Sequence, residues 1–595
     1  MSEPILGIDL GTTHSAVGIV DSGFPILLAN EEGKRISPSA VWIGHDGSVE
    51  VGEKALRRRG AEPDRVVTGV KRLVGRRYRE VKSDTILPLD STADGLPLIL
   101  GKSPEEISAM ILGEMKRIAE WRMEKEFTKA VITVPAYFHD AQRLATVKAG
   151  EIAGLDVVRI LNEPTAAAMA YGLDKLEDAS RVAVYDLGGG TFDLSVLEMQ
   201  DGVFQVLSTQ GDTLLGGDDL NMLLVEEIVR RHDIRVDAIS GLRIRLLEEA
   251  ERVKCQLSVE NMATFRLPFY DGTMSLDEEF SREDLEAIAA PWIARTLSHC
   301  RQAMNAAQLK PADLDAVVLV GGSTRMPAVR KAVAEFFESD PDLSQNPDES
   351  IALGASIQAG VMSGALQKML LLDVTPLSLG IETFGGLMNV LIPRNTTIPC
   401  KVGEMFTNAT DAQRAMEVRI LQGEREIARD NWLLGDFEVA FEPVSKGKAR
   451  LGVQFKIDEN GLLEVLVRDV ATGKDTVVQL GNAAVRVNDH EVEAMVSESV
   501  EYAFEDMAER VFTEARLKAE ELLPAVEAVI KQDLVEKEEK AAIIEAASMV
   551  RTCLQKGDAN PLKAAVQKLD QATEALAARM VERAMDAALD RQHGA

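Results

Sequence analysis

Two aspartates, each followed by a glycine-rich turn, are the residues of this sequence best suited to chemistry. Asp9 lies in ILGIDLGTTHSAVGIV (5–20), and Asp186 lies in VAVYDLGGGTFDLSVL (182–197). Backbone N–H groups exposed in such turns can bind phosphate oxygens, and the threonine hydroxyls can add donors. A carboxylate beside a phosphate is favourable when a hard cation such as Mg²⁺ lies between them. The pair of motifs therefore predicts a site for a Mg-nucleotide.

The residues after both turns have the periodicity of strands. In Rossmann and P-loop sites a helix begins directly after the glycines. Here Phe192, Leu194 and Val196 alternate with polar residues, and an apolar run at 16–20 follows the first turn. Each motif is therefore predicted to be a hairpin of strand, tight turn and strand. The two aspartates are about one domain length apart, so we expect one hairpin from each of two lobes.

The composition limits the class of protein. The chain has 595 residues, which predicts several domains, and a formal net charge of −30, which argues against nucleic-acid binding. Its four cysteines are widely scattered, as is typical of reduced thiols in a cytosolic protein. The sequence has no apolar stretch of about 18 residues, the length that a transmembrane helix needs. We therefore expect a cytoplasmic monomer that binds neither nucleic acid nor membranes.

The order of local patterns predicts four segments. Short β-branched runs alternate with helical patterns in the first segment, which favours an α/β domain at 1–366 that binds the nucleotide. A linker is predicted at 367–374. In the third segment VQFKIDENGLLEVLVRD (453–469) alternates apolar and polar residues on both sides of a D-E-N-G turn. This hairpin pattern predicts an antiparallel β-sandwich at 375–487. The last segment, 488–595, is predicted to be helical.

The helical segment has its own start and stop signals. Asn488 and Glu491 fit a capping box, which predicts a helix start. Pro524 and Pro561 are predicted to break the helices that follow, because proline lacks the N–H of a helical hydrogen bond.

The predicted linker is unusual because KMLLLD (368–373) is apolar, whereas flexible linkers are normally polar. Exposing it would cost roughly 25 cal/mol per Å² of apolar area. The segment is therefore either an ordinary buried strand or a strand that docks in one state and is released in another.

Together these motifs resemble those of the seventy-kilodalton heat-shock chaperones, the DnaK family, within the superfamily that also holds actin and the sugar kinases. The matching stretches are GIDLGTTHSAVGIV (7–20), VITVPAYFHDAQR (131–143), LNEPTAAAMAYG (161–172), YDLGGGTFDLSV (185–196), GDTLLGGDDL (211–220), VGGSTRMP (320–327), LLLDVTPLSLGIET (370–383) and RILQGERE (419–426). The resemblance implies an α/β actin-like, two-lobed ATPase domain of duplicated ribonuclease-H-like type. It also implies a β-sandwich that binds peptide and a C-terminal α-helical lid.

The resemblance also implies roles for residues of the ATPase domain. Residues implied in hydrolysis are Lys71, Asp9, Glu163, Asp186, Thr191 and Asp193. Lys71 would approach the γ-phosphate, while Thr191 and Asp193 would orient the attacking water. Asp9, Glu163 and Asp186 would hold magnesium through its waters. Residues implied in binding ATP or ADP are Gly11, Thr12, Thr13, Gly188, Gly189, Gly216, Gly217, Glu251, Lys254, Ser258, Gly321, Gly322, Ser323, Arg325 and Asp348.

Further positions resemble the family's peptide cleft and its interdomain relay. The peptide-binding set is Leu377, Leu379, Ile381, Phe406, Met416 and Val418, with Phe384 and Ala409 as an arch. The pattern alone is also compatible with an ordinary sandwich core at some of these positions. The relay and partner set is Pro135, Arg143, Arg159, Leu370, Leu371, Leu372 and Asp373. Arg159 and Asp373 match positions used for a J-domain partner, and the three leucines match the linker that docks with ATP.

Three departures from the family pattern stand out. His14 replaces the usual asparagine beside the phosphate turn, where we expect it to pack in the hairpin unless it tunes hydrolysis. Met416 replaces a β-branched residue, which predicts a shallower, more adaptable peptide pocket. The shortened segment 261–288 and the last helical residues resemble the specialised HscA- and HscC-like branch.

The function implied is that of an ATP-dependent chaperone for extended apolar segments of unfolded proteins. Its partners would be client polypeptides, a J-domain co-chaperone and a nucleotide-exchange factor, although the departures weaken the case for the exchange factor. An alternative is a dedicated chaperone for iron–sulfur cluster assembly with one client. Alternatives of another class are a sugar-kinase-like phosphotransferase and an actin-like filament protein, which share the two hairpins but lack the sandwich and the apolar linker.

Overall fold

The structure is a computed structural model that describes most of the chain. The described residues are 3–81, 89–93, 95–172, 180–200, 202–234, 236, 241–366, 369–479, 503–530, 537–574 and 576. The chain divides into two compact units. The first comprises the described residues within 1–379, 391–417 and 433–493, and the second those within 380–390, 418–432 and 494–595. The capping box predicted at Asn488 and Glu491 lies outside the described residues.

The strands and helices up to residue 366 alternate as an α/β domain requires. The strands are β1 (Leu6–Leu10), β2 (His14–Asp21), β3 (Phe24–Leu27), β4 (Ile36–Pro38), β5 (Ala40–Ile43), β6 (Val49–Val51), β7 (Val66–Thr68), β8 (Leu89–Ser91), β9 (Pro97–Ile99), β10 (Lys129–Val134), β11 (Asp156–Asn162), β12 (Ser180–Leu187), β13 (Phe192–Gln200), β14 (Val203–Asp212), β15 (Met262–Leu267), β16 (Leu276–Ser281) and β17 (Ala316–Val320). The helices are α1 (Glu53–Arg58), α2 (Tyr78–Val81), α3 (Pro104–Met123), α4 (Asp140–Ile152), α5 (Glu163–Gly172), α6 (Gly217–His232), α7 (Leu242–Val259), α8 (Arg282–Ala306), α9 (Pro327–Phe337) and α10 (Ser350–Ser363).

Two sheets in this region repeat one arrangement. In the first, β1 pairs antiparallel with β2 and parallel with β10, in the order β11-β10-β1-β2-β3. In the second, β12 pairs antiparallel with β13 and parallel with β17, in the order β17-β12-β13-β14. The strands around both glycine turns are thus antiparallel hairpins in equivalent places. Helices cover the sheets, and each sheet has its own buried apolar cluster. We call the part built on the first sheet lobe I and the part built on the second lobe II.

Most of the predicted apolar linker forms a strand of the lobe II sheet, between β14 and a short strand at 397–398. β18 (Leu370–Val374) runs parallel to β14, with Phe204 opposite Leu371. The side chains of Leu371 and Val374 are buried in an apolar cluster that also contains Phe204 and Val206. The strand is therefore docked on lobe II, where the side chains of Leu371 and Val374 are removed from water. Whether it is released in another state stays a prediction.

The strands beyond residue 374 include the predicted hairpin. They are β19 (Leu379–Thr383), β20 (Leu387–Ile392), β21 (Thr397–Ile398), β22 (Cys400–Phe406), β23 (Gln413–Gln422), β24 (Trp432–Val444), β25 (Leu451–Ile457), β26 (Leu463–Asp469) and β27 (Asp475–Gln479). β25 and β26 are antiparallel, and Val453, Phe455 and Ile457 stand opposite Val467, Val465 and Leu463. All six side chains are buried, so the predicted faces are confirmed. β22, β25, β26 and β27 form one sheet within the first unit.

The second unit contains the helices after residue 502. They are α11 (Ala503–Ile530), α12 (Lys537–Lys556) and the helical residues 559–574. Pro561 lies in the first turn of the last helix, where its missing N–H has no cost, so the predicted break there is confirmed. The break predicted at Pro524 is wrong, because α11 runs through it. Pro524 is exposed, so water can hydrate the carbonyl that loses its helical donor. None of the helices in the described ranges is long and apolar enough to cross a membrane.

Candidate functional site

The two predicted hairpins place an acidic side chain near the end of one strand in each lobe. Asp9 is on β1, opposite Ala16 of β2, and Asp186 is on β12, opposite Asp193 of β13. Both aspartates are buried. Strands follow both turns, so the prediction of hairpins in place of helix-initiating loops is confirmed. The strands of both hairpins are buried on both faces, so polar residues such as Asp193 and Ser195 are enclosed together with their apolar neighbours.

Glu163 and Lys71 complete a buried charged cluster with these aspartates. Glu163 is the first residue of α5, and its carboxylate forms an ion pair with the ammonium of Lys71. Both side chains are almost fully buried, at 6% and 5% exposed. Thr133 Oγ1 donates a hydrogen bond of 3.0 Å to Asp9 Oδ1. A surface role for Lys71 is thereby excluded, because a buried lysine needs a paired anion.

The carboxylates of this cluster have more negative charge than Lys71 can balance. Burial and the charge of Glu163 raise the pKa of Asp9 to about 7. Burial, Glu163 and Asp9 together raise the pKa of Asp186 well above its ordinary value. The pKa of Asp193 is also well above its ordinary value, through burial and the charge of Asp186. A site with this excess of buried negative charge would be stabilised by a cation.

The donor set fits a hydrated divalent cation. Within the described ranges no three His, Cys, Asp or Glu side chains are grouped so as to hold a metal ion directly. Carboxylates that contact Mg²⁺ through its waters do not need such close grouping. Asp193 Oδ1 is buried without a hydrogen-bond partner among the described residues, so it is an acceptor suited to a water in the cleft. The residues present are therefore compatible with Mg²⁺ bound together with a nucleotide.

Glycines keep the backbone of lobe II free to approach a phosphate. A Cβ on Gly189 would lie 1.9 Å from Thr13 Oγ1, and one on Gly216 would lie 2.5 Å from the Gly189 carbonyl carbon. Gly321 has φ +83°, and its Cβ would lie 2.4 Å from the Leu187 oxygen. At Gly216 and Gly321 backbone packs directly against backbone, whereas at Gly189 the backbone packs against the Thr13 side chain. The result is a cradle of main-chain groups facing the carboxylates.

Hydrogen bonds between the loops hold this cradle in shape. Gly217 N donates to Gly188 O at 3.0 Å, and Asp218 N donates to Gly189 O at 2.8 Å. Ser323 Oγ donates to Gly188 O at 2.9 Å. In the glycine turn of lobe I, Thr12 is buried and Thr13 is exposed. A Cβ on Gly11 of the same turn would lie 2.0 Å from His14 O.

The residues predicted to hold the adenosine lie on α7 and on the loops after β17. Lys254 Nζ lies 2.5 Å from Glu251 Oε2 and donates to Gly217 O at 3.1 Å. This ion pair lies within α7, and Lys254 also connects the helix with the cradle. Ser258 Oγ donates to its own helix, to Lys254 O at 3.1 Å. Across the loops, Arg325 and Asp348 form an ion pair of 2.5 Å, and a Cβ on Gly322 would lie 3.2 Å from Asp348 Oδ1.

His14 is not packed within its hairpin. It lies at the start of β2 with its backbone paired to Pro38, and its side chain is exposed. The expectation of a packed histidine was wrong because the strand turns this position outward at the edge of the cleft. An effect of His14 on hydrolysis stays a prediction.

Arg143 connects the region behind the cluster with the linker. Its guanidinium is buried and donates to Phe138 O at 2.9 Å and to Asn162 Oδ1 at 2.8 Å. Asn162 Nδ2 in turn donates to Asp373 Oδ2 at 2.6 Å. Pro135 directly follows β10, and its carbonyl accepts the Phe138 N–H at 3.1 Å. The intermediate Asn162 was missed by sequence reasoning, although it stands beside Glu163 in LNEPT.

The turn between β25 and β26 lies against α4 and β11 of lobe I. Ile160 N donates to Asn460 Oδ1 at 3.0 Å, and Leu463 N donates to Asp140 Oδ1 at 3.2 Å. Arg143 Nη1 donates to Asn460 O at 3.4 Å. We call this set of contacts the docking interface. Sequence reasoning identified the D-E-N-G turn but had no signal for its partner.

Arg159 and Asp373, which match the positions used for a J-domain partner, lie beside the docking interface. Asp373 is buried and bonded to Asn162 as described above. Arg159 Nε is buried and has no hydrogen-bond partner among the described residues. Burial lowers the pKa of Arg159, and the carboxylates of Glu459, Asp373 and Asp458 oppose that shift.

The predicted peptide-binding residues differ in exposure. In the first unit Leu377 and Leu379 are buried, whereas Phe406, Ala409 and Met416 are half-buried. In the second unit the residues are Ile381 and Val418, both buried, and Phe384, which is 66% exposed. Phe24 and Phe269 are exposed to a similar degree, so the exposure of Phe384 does not by itself identify a ligand site. The role of all eight residues stays a prediction.

Comparison with known proteins agrees with these observations. A family model described as Hsp70 protein matches residues 5–582. The match contains both hairpins, the linker, the sandwich strands and most of the helical segment. It confirms the resemblance at the level of the family and leaves the HscA- and HscC-like branch as a prediction. The chain belongs to the Hsp70 family.

Proposed function

We propose that this protein is an ATP-dependent chaperone in which hydrolysis in the two-lobed domain changes the affinity of the sandwich for extended apolar peptides. Members of the Hsp70 family are ATPases and chaperones in general. The observation that carries the proposal for this chain is the docked linker. β18 is a strand of the same sheet as Asp186 and Asp193, so the reaction site and the linker share one structural element.

The buried cluster supports a role in phosphoryl transfer to water. Magnesium, when bound with the nucleotide, would neutralise phosphate charge and be held through water by Asp9, Glu163 and Asp186. The ion pair with Glu163 orients Lys71, so its ammonium can face the γ-phosphate. The unpartnered Asp193 Oδ1 can accept a hydrogen bond from the attacking water. Its neighbour Thr191 can donate from its hydroxyl to the same water.

A hydrogen-bonded path supports the coupling between this site and the linker. Asn162, next to Glu163 in sequence, joins Arg143 to Asp373 through bonds of 2.8 and 2.6 Å. A displacement of Glu163 on hydrolysis would move Asn162 and weaken the bond to Asp373. Such a path couples two ligands only if both bias the same two-state element, which here is the docking of β18.

The partners proposed follow from family membership and from the sandwich. A client would bind as an extended apolar segment, with main-chain hydrogen bonds giving tolerance of sequence. A J-domain protein would act at Arg159 and Asp373, and a nucleotide-exchange factor would speed ADP release.

A full-length linker variant tests the proposal. Leu371→Asp places a charge in the apolar cluster that contains Phe204, so β18 should detach. We expect the basal hydrolysis rate to change and stimulation by an extended apolar peptide to be lost. Leu372→Asp is the matched control, because Leu372 is only half-buried in the same strand. Equal peptide stimulation in the wild type and in Leu371→Asp would contradict the proposal.

The breadth of clients is tested with the same assay. A panel of unrelated apolar peptides and one peptide from an iron–sulfur scaffold protein are compared as stimulators of ATP hydrolysis. Stimulation by many peptides supports a general chaperone, whereas stimulation by the scaffold peptide alone supports a dedicated one.

A further inference from the structure

Arg72 joins lobe I to two loops of lobe II. It follows Lys71 in a short 3-10 turn, Val70–Arg72. Its Nε and Nη2 atoms donate to Gly190 O at 3.1 and 2.8 Å. Nη2 and Nη1 also donate to the two carboxylate oxygens of Asp219, at 2.6 and 3.3 Å. One side chain therefore binds the turn after β12 and the start of α6 at the same time.

The bridge is largely shielded from water. The side chains of Arg72 and Asp219 are 9% and 19% exposed. A pair of this kind, with two parallel charged hydrogen bonds, is more strongly directional than a surface ion pair. A Cβ on Gly190 would lie 2.7 Å from Arg72 Nε, so the backbone at 190 is in direct contact with the guanidinium.

Asp219 extends the bridge into the phosphate cradle. Its Oδ2 accepts the N–H of Gly216 at 2.7 Å. The adjacent Asp218 N donates to Gly189 O at 2.8 Å, which ties the two loops of lobe II to each other. Both loops thus share a polar partner that comes from the segment of Lys71.

We infer that Arg72 is a positioning residue for ATP hydrolysis, because it holds the two glycine loops of lobe II at a fixed distance from Lys71. The inference rests on the proposed function, since it needs an ATP site between the lobes. Without the bridge, the loops and Lys71 belong to separate lobes that can move apart. A shift of about 1 Å in such a site is enough to lower the rate roughly 100-fold.

The test uses the full-length protein with the variants Arg72→Gln and Asp219→Asn. We expect both to raise the dissociation rate of a fluorescent N-methylanthraniloyl-ADP and the KM for ATP by roughly 10- to 100-fold, and to lower kcat. The double variant should be little worse than either single one, because both changes remove the same bridge. Arg72→Lys should recover part of the loss, since an ammonium keeps the charge but cannot donate to both acceptors in parallel.

Controls separate this role from a general structural one. Arg58→Gln removes an exposed bidentate pair with Glu50 elsewhere in lobe I and should leave dissociation and kcat unchanged. If Arg72→Gln does not fold, nucleotide dissociation and kcat are compared in Arg72→Lys and Asp219→Asn instead. Unchanged nucleotide dissociation, or full additivity in the double variant, would overturn the inference. Failure of the wild type to hydrolyse ATP would instead overturn the proposed function.

Discussion

Docking of the sandwich turn on lobe I should strengthen as the pH falls from 8 to 6. Asp140 is the first residue of α4 and is buried in the docking interface, where it accepts the N–H of Leu463. Burial is the main cause that raises the pKa of its carboxyl to about 7, with a contribution from Asp458, while Arg143 opposes the shift. When the turn is released, the carboxyl is hydrated and regains an ordinary pKa near 3.8.

The direction and size of the pH effect on docking follow from these two pKa values. The docked form binds the proton of Asp140 more tightly than the released form does. The docking constant is therefore smallest above pH 7 and increases as the pH falls through that value. Between pH 8 and pH 6 the docking constant should rise about tenfold, or about 1.4 kcal/mol. The other charged groups at the interface are Arg159, Glu459 and Asp373. Burial also raises the pKa of Asp373, so protonation of Asp373 would favour docking at low pH in the same way.

The assay is hydrogen exchange of the amides of 370–374 and 458–463 with ATP present, corrected for the intrinsic pH dependence of exchange with unfolded peptides. Asp140→Asn is the matched variant, because its amide can still accept from Leu463 but does not titrate in this range. The wild type should gain protection at low pH, and the variant should lose most of that gain. A wild type without pH dependence, or an equal response in Asp140→Asn, would refute the reasoning.

Three other variants test separate parts of the structure. Lys71→Met should lower single-turnover hydrolysis by roughly 10²- to 10³-fold while ATP still binds, because it removes the cation paired with Glu163 in the reaction site. Gly189→Ala should weaken ATP binding in an equilibrium titration, since its Cβ would lie 1.9 Å from a hydroxyl of the facing turn. Arg425→Ala should destabilise the attachment of α11 by roughly 3–5 kcal/mol, because it leaves the buried Asp506 unpaired, and faster hydrogen exchange in α11 would report this.

Each of these variants has a control in the chain. Lys148→Met removes an exposed lysine and should leave hydrolysis unchanged. Gly113→Ala, in α3 outside the predicted binding set, places a Cβ that meets nothing within 4 Å and should leave ATP binding unchanged. Arg429→Ala breaks an ion pair whose arginine is 70% exposed and should change the exchange of α11 little. Unchanged hydrolysis in Lys71→Met, unchanged ATP affinity in Gly189→Ala or unchanged exchange of α11 in Arg425→Ala would each contradict the role given to that residue.

Much of the local structure could be predicted because it depends on neighbours in sequence. The alternation of Phe192, Leu194 and Val196 is enough to require a strand, and the D-E-N-G turn is enough to pair β25 with β26. Errors arose where the local pattern was not decisive. Pro524 does not end its helix because it is exposed, and His14 is turned outward by the edge of the cleft.

The sequence by itself determined the family, the two hairpins and the excess of acidic side chains in the cleft. Only the tertiary structure decided which distant groups meet. The bridge of Arg72 to Asp219, the bond of Asn162 to Asp373 and the contact of Asp140 with Leu463 each join residues far apart in the chain. Such pairs leave no periodic signal, because their partners are brought together by the packing of whole lobes and strands, not by local backbone preference.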